Sequence, residues 1–90
     1  MVRYDMRFIG RVQGVGFRFF VSMNADKCHL TGWVQNMPDG SVTAQVQGTR
    51  TQIDQFLDLT KNGHRFIRID DVEMKERPLC KGEKGFQVKY

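Results

Sequence analysis

What the 90-residue chain lacks narrows its class before any motif is considered. No apolar run approaches the ~20 residues that a membrane-spanning helix requires. Arg3, Asp5, Arg7 and Arg11 occupy the stretch where a secretory signal would place its apolar core. A soluble, cytoplasmic protein with no membrane association is therefore expected. There are only two cysteines, Cys28 and Cys80, and neither has a second thiol near it, so neither a CxxC redox pair nor a Cys/His zinc cluster can be written. Free thiols are the expectation for a reducing compartment. Histidine is equally scarce: His29 and His64 fall in polar surroundings, which suits solvated surface positions better than ligands or bases. With no cluster of Asp, Glu, His or Cys on offer, neither a metal nor another cofactor is expected.

The rest of the composition is that of a folded domain. Hydrophobic residues are 40% and charged residues 27% of the chain, values that argue against a disordered tail, a collagen-like repeat or a low-complexity module. A chain of this mass should contract from about 15,000 to about 5,400 Å² of surface, burying roughly 64% of it. That is enough for one independently folding domain over residues 1–90, expected as a monomer. Lys and Arg number 14 against 10 Asp and Glu, a net charge of +4. Such a mild excess favours anionic partners without separating polymers from metabolites.

Periodicity supplies the elements. Tyr4, Met6 and Phe8 alternate with Asp5 and Arg7 in a first strand closed by Gly10. Phe17, Phe20, Val21, Ala25 and Cys28 then recur at helical spacing and share one face. Leu30–Asn36 reads as a strand, Met37-Pro38-Asp39-Gly40 as a turn, and Ser41–Gly48 as the returning strand of a hairpin. Thr49 with Gln52 forms a capping-box pattern, followed by the inward stripe Ile53, Phe56, Leu57 and Thr60, which Asn62-Gly63 ends. Between Phe66 and Arg77 the apolar residues switch phase, from Ile67 and Ile69 to Val72 and Met74, predicting a strand with a bulge. After a polar loop with Pro78, Gly82 and Gly85, Phe86, Val88 and Tyr90 predict a short edge strand. The order βαββαβ plus one strand predicts an α+β, ferredoxin-like split βαβ sandwich: an antiparallel sheet with two helices on one face. That fold hosts many activities, so function must come from a site.

One segment carries such a site. Gly10-Arg11-Val12-Gln13-Gly14-Val15-Gly16-Phe17-Arg18 joins a strand end to a helix start. Its central glycines let several backbone N–H groups converge on one concavity, an anion-binding nest. The adjoining helix N-terminus adds partial positive charge, and Arg18 can fork two donors onto a phosphate or carboxylate. Glycines in such a connection can equally serve only to turn the chain. Nucleotide grammar is absent: no GxxxxGK precedes Ser or Thr, and Phe19 stands where GxGxxG needs its third glycine. An RNA-reading sheet would carry aromatics on its third strand, and Ser41–Gly48 has none, so nucleic acid is disfavoured.

The whole string Gly10–Arg18 resembles the signature of the acylphosphatase family, and so does Gly32-Trp33-Val34-Gln35-Asn36-Met37-Pro38-Asp39-Gly40-Ser41-Val42. The spacing of the two motifs and the ending Gly85-Phe86-Gln87-Val88-Lys89-Tyr90 are similar to that family as well. The segment Asn62-Gly63-His64-Arg65-Phe66-Ile67 departs from it, lacking a Gly-Pro often found there. The resemblance implies a metal-free hydrolase of carboxyl-phosphate mixed anhydrides, acting on small-molecule acyl phosphates. It implies that Arg18 binds the phosphoryl group together with the amides of Gln13, Gly14, Val15, Gly16, Phe17 and Arg18 itself, and that Asn36 holds the attacking water. Inorganic phosphate, the product, and sulfate should occupy the same nest. A non-catalytic phosphate or acyl-phosphate binding module and, behind it, a basic nucleic-acid binder are the competing classes.

Overall fold

The computed structural model describes residues Met1–Tyr90. Strand β1 (Val2–Arg11) leads through the glycine loop into helix α1 (Phe17–Lys27), and the hairpin β2 (Thr31–Asn36) and β3 (Val42–Gly48) follows. Helix α2 (Arg50–Asn62), strand β4 (Arg68–Arg77) and the short strand β5 (Phe86–Lys89) complete the chain. One sheet takes all five strands in the order β4-β1-β3-β2-β5. The folded surface is 5531 Å².

The alternation that marks β1 sends Met6 and Phe8 into the core, where both are completely buried. Val34 of β2 and Val42, Ala44 and Val46 of β3 lie on the same face, against Phe17, Val21 and Ala25 of α1 and Ile53 and Phe56 of α2. Each large side chain so buried contributes about 1.5–3 kcal/mol. Phe8 and Phe17 meet edge to face, ring centres 5.2 Å apart, worth about 0.5–1.5 kcal/mol beyond burial. That contact seats the first turn of α1, and with it Arg18, on the sheet.

The helix signals hold in detail. Thr49 Oγ1 accepts from the Gln52 backbone N–H while the Gln52 side chain accepts from the Thr49 N–H, a complete capping box. The phase switch in β4 is a bulge: Ile9 pairs with Asp71 and Gly10 with Ile69, leaving Asp70 as the extra residue. Asn24, on the inward face of α1, is a buried polar residue that donates from Nδ2 to Thr60 Oγ1 at 3.3 Å.

One detail of the sheet differs from expectation. It is mixed rather than wholly antiparallel, because β5 runs parallel to β2, Gly32 opposite Phe86 and Val34 opposite Val88. The loop after β4 stays at one end of the sheet and crosses to the opposite edge, so the chain re-enters in the direction of β2. The crossing is pinned to the face away from the helices. Arg3, 4% exposed, clamps Glu83 with both terminal nitrogens, at 2.7 and 3.1 Å. The Gln47 amide accepts from the Cys80 N–H and donates to the Cys80 carbonyl, at 2.8 and 3.1 Å. Both cysteines are free, Cys28 buried and Cys80 exposed. His64 is exposed as expected but packs on carbon: its ring lies 5.8 Å from that of Phe20 and 5.7 Å from that of Phe66.

Candidate active site

Between β1 and α1 the backbone turns through two left-handed residues, Gly14 at φ 74° and Gly16 at φ 77°. No neighbouring atom lies within 4 Å of where a Cβ would stand at either position. Glycine is needed there for conformation rather than space, since a left-handed L-residue costs about 1–2 kcal/mol. Gly16 is also the N-cap of α1 and no side chain caps that end, so the first amides of the helix remain open to a ligand.

A pocket of about 230 Å³ opens at this point. Gly14, Gly16 and Arg18 line it from the loop and helix start, Asn36 from the end of β2, and Val88 and Tyr90 from the tail. Val12, Phe17 and Phe19 complete the apolar lining. Arg18 and Asn36, far apart in sequence, therefore share one cavity, because α1 packs against β2 and the glycine loop lies beside the hairpin end. The Asn36 Oδ1 atom is buried and has no hydrogen-bond partner.

Arg18 is held from two directions that the sequence reading did not foresee. Its Nη1 donates to the Lys89 carbonyl at 2.9 Å, and its guanidinium carbon sits 4.8 Å from the centre of the Tyr90 ring. The tail alternation placed Val88 and Tyr90 on one side of a strand, but nothing in it signalled that this side would meet α1. Of the expected loop residues, Gly14, Gly16, Phe17 and Arg18 line the pocket, whereas Gln13 and Val15 do not. Val15 packs on the core. The side chain of Gln13 turns to the hairpin, donating from Nε2 to the carbonyls of Met37 at 2.7 Å and Ser41 at 2.9 Å. No group of three or more His, Cys, Asp and Glu side chains is placed to hold a metal ion, and none of these residue types lines this pocket.

The hairpin turn beside Asn36 carries its own charge network. Asp39 Oδ1 accepts from the Ser41 hydroxyl at 2.6 Å and the Ser41 N–H at 2.9 Å. Arg7 pairs with the other oxygen of Asp39 and, at 3.0 Å, with Glu73. The hydrogen bonds from Ser41, reinforced by Arg7, hold the Asp39 carboxyl well below the usual range.

Fold and pocket together define a ferredoxin-like α+β domain in which a glycine-rich loop and an arginine share one pocket with an asparagine. The chain belongs to the acylphosphatase family, whose family model, Acylphosphatase, matches residues 4–88. It is 41% identical over 90 residues to the acylphosphatase of Clostridium beijerinckii, covering 100% of both chains. The crystal structure of acylphosphatase from Bacillus subtilis superposes with a TM-score of 0.93 at 40% identity, again over 100% of both chains. An acylphosphatase from Coxiella burnetii gives 0.87 at 28% identity, over 98% of this chain and 92% of that one. The activity is hydrolysis of acyl phosphates to a carboxylate and inorganic phosphate. No helix is long and apolar enough to cross a membrane.

Proposed function

We propose that Arg18 and the amides from Gly14 to Arg18 bind the phosphoryl group of the acyl phosphate, and that Asn36 positions the water that attacks it. The observation that carries this division is that Asn36, from the end of β2, lines the same pocket as Arg18 and the glycine loop. An asparagine amide can hydrogen-bond a water and so aim a water lone pair at phosphorus. The new bond joins the water oxygen to phosphorus while the bond from phosphorus to the acyl oxygen breaks, releasing carboxylate. The carboxylate's conjugate acid has a pKa of roughly 4, so it departs without a general acid. The water's proton passes to a phosphoryl oxygen, which removes the need for a protein base. Positioning and fixed dipoles then supply the catalysis. Arg18 keeps further donors for the phosphoryl oxygens after giving Nη1 to Lys89.

The same nest is proposed to hold inorganic phosphate and sulfate. Both cysteines are free thiols, which suits a reducing, cytoplasmic compartment, and the protein is proposed to act as a monomer. The deciding measurement is hydrolysis of benzoyl phosphate by Asn36→Ala. Loss of a contact made mainly in the transition state should lower kcat and kcat/KM together, by about a hundredfold, while phosphate still raises the melting temperature. An unchanged kcat with a raised KM would make Asn36 a substrate-binding residue and overturn the assignment.

A further inference from the structure

We infer that the side chain of Gln13 is a positioning residue, which sets the distance between the phosphate loop and the water-holding Asn36. The inference rests on the roles proposed above for the loop and Asn36. Those groups sit on separate pieces of chain: the loop follows β1, whereas Asn36 ends β2 and is register-paired with Val42 of β3. In-line attack needs both at a fixed separation, and a misplacement of about 1 Å can cost on the order of a hundredfold in rate.

The Gln13 amide spans the gap. Its Nε2 donates both hydrogens, to the Met37 carbonyl at 2.7 Å and the Ser41 carbonyl at 2.9 Å. These carbonyls belong to the two ends of the turn that immediately follows Asn36. They are already joined to each other, since the Met37 N–H donates to the Ser41 carbonyl at 2.9 Å. Gln13 thus grips a closed unit, not a loose loop. Only the nitrogen of the amide can satisfy two acceptors at once, so its orientation follows from the chemistry. The far side of the same turn is braced independently, Arg7 Nε donating to Ser41 Oγ at 3.2 Å. The turn is therefore rigid enough to transmit position, and Gln13 is the side chain that ties it to the loop. Its neighbours Gly14 and Gly16 line the pocket while Gln13 does not, so its effect on the reaction passes through Asn36.

A double-mutant cycle with Gln13→Met and Asn36→Ala tests this, using benzoyl phosphate turnover and the dissociation constant of inorganic phosphate. Methionine keeps the length of the side chain and removes both donors. Gln13→Met should lower kcat by about tenfold to a hundredfold and leave the phosphate dissociation constant within about twofold, since the loop still binds. In the Asn36→Ala background the same substitution should cost little more, because there is no water-holding group left to misplace. The inference is overturned if Gln13→Met keeps wild-type kcat while Asn36→Ala loses activity. It is equally overturned if the Gln13→Met loss is as large in both backgrounds, or if phosphate binding weakens by the same factor as kcat. Should Gln13→Met not fold, Gln13→Asn carries the test, being one methylene too short to reach both carbonyls from the same backbone. An Asn36→Ala enzyme with unchanged kcat would instead refute the role of Asn36.

Discussion

Arg18 rests its guanidinium 4.8 Å from the centre of the Tyr90 ring while Nη1 donates to the carbonyl of the preceding residue, Lys89. Tyr90 is 95% exposed, and a cation over an exposed aromatic face is worth about 0.5–1 kcal/mol. Tyr90→Ala should therefore weaken inorganic phosphate binding by about two- to fivefold and leave the fold intact. Arg18→Lys should do far more, because an ammonium lacks the planar fork that lets one nitrogen hold the Lys89 carbonyl while the others pair with two phosphoryl oxygens. Turnover of benzoyl phosphate should fall at least about a hundredfold. Near-wild-type turnover in Arg18→Lys would refute the assigned role.

The left-handed N-cap makes a second prediction. Gly16→Ala places a Cβ in open space but forces an L-residue to φ 77°. A loss of about 1–2 kcal/mol in unfolding free energy is expected, with weaker phosphate binding as the loop relaxes. Gly16→Asn, which tolerates that conformation better, should recover part of both. Urea unfolding of the two variants checks the order, and equal losses would show that conformation is not what selects glycine.

Much of this architecture was legible in the sequence because local rules determine it. The capping box at Thr49, the bulge at Asp70 and the hairpin turn after Asn36 each follow from the residues on the spot. Arg18 was legible as well, since a glycine turn followed by a helix and an arginine has a chemistry of its own. Asn36 was not; alone it looks like a strand-end residue, and only the family resemblance singled it out. What escaped entirely was tertiary. Arg3 lies outside the alternation read from Tyr4 onward, and nothing local signals that the loop bearing Glu83 folds over it and leaves it 4% exposed. Lys89 and Tyr90 reach Arg18, and Gln13 reaches Met37 and Ser41, across gaps that no short-range pattern encodes.

Metal dependence gives a third prediction. The pocket offers a guanidinium, open helix amides and an asparagine, with no Asp, Glu, His or Cys in its lining, and hard cations seek oxygen ligands, carboxylates foremost. Initial rates with benzoyl phosphate are expected to be the same with and without EDTA. A rate abolished by chelator and restored by magnesium would require a mechanism other than the one proposed.

The Arg3–Glu83 clamp makes the last prediction. Both side chains are nearly enclosed, 5% and 18% exposed, and the hydrogen bonds from Arg3 hold the Glu83 carboxyl below its ordinary range despite opposing desolvation. Unfolded, that carboxyl titrates near its usual value of about 4.3. A group whose folded pKa is depressed stabilises the fold fully above the unfolded value and loses that contribution as pH falls through the folded one. Stability should therefore be flat in this term from pH 7 to about 5 and decline below roughly pH 4. Glu83→Gln removes the charge, costs about 1.5–3 kcal/mol at pH 7, and should show a shallower decline in acid than the parent. Because this loop leads into β5, which carries Lys89 to Arg18, the variant should also bind phosphate more weakly at neutral pH. Urea midpoints between pH 7 and pH 3 decide the matter. Parallel acid slopes in parent and variant would show that the clamp does not govern acid stability, and that other carboxylates, Asp39 first among them with its similarly depressed titration, carry it instead.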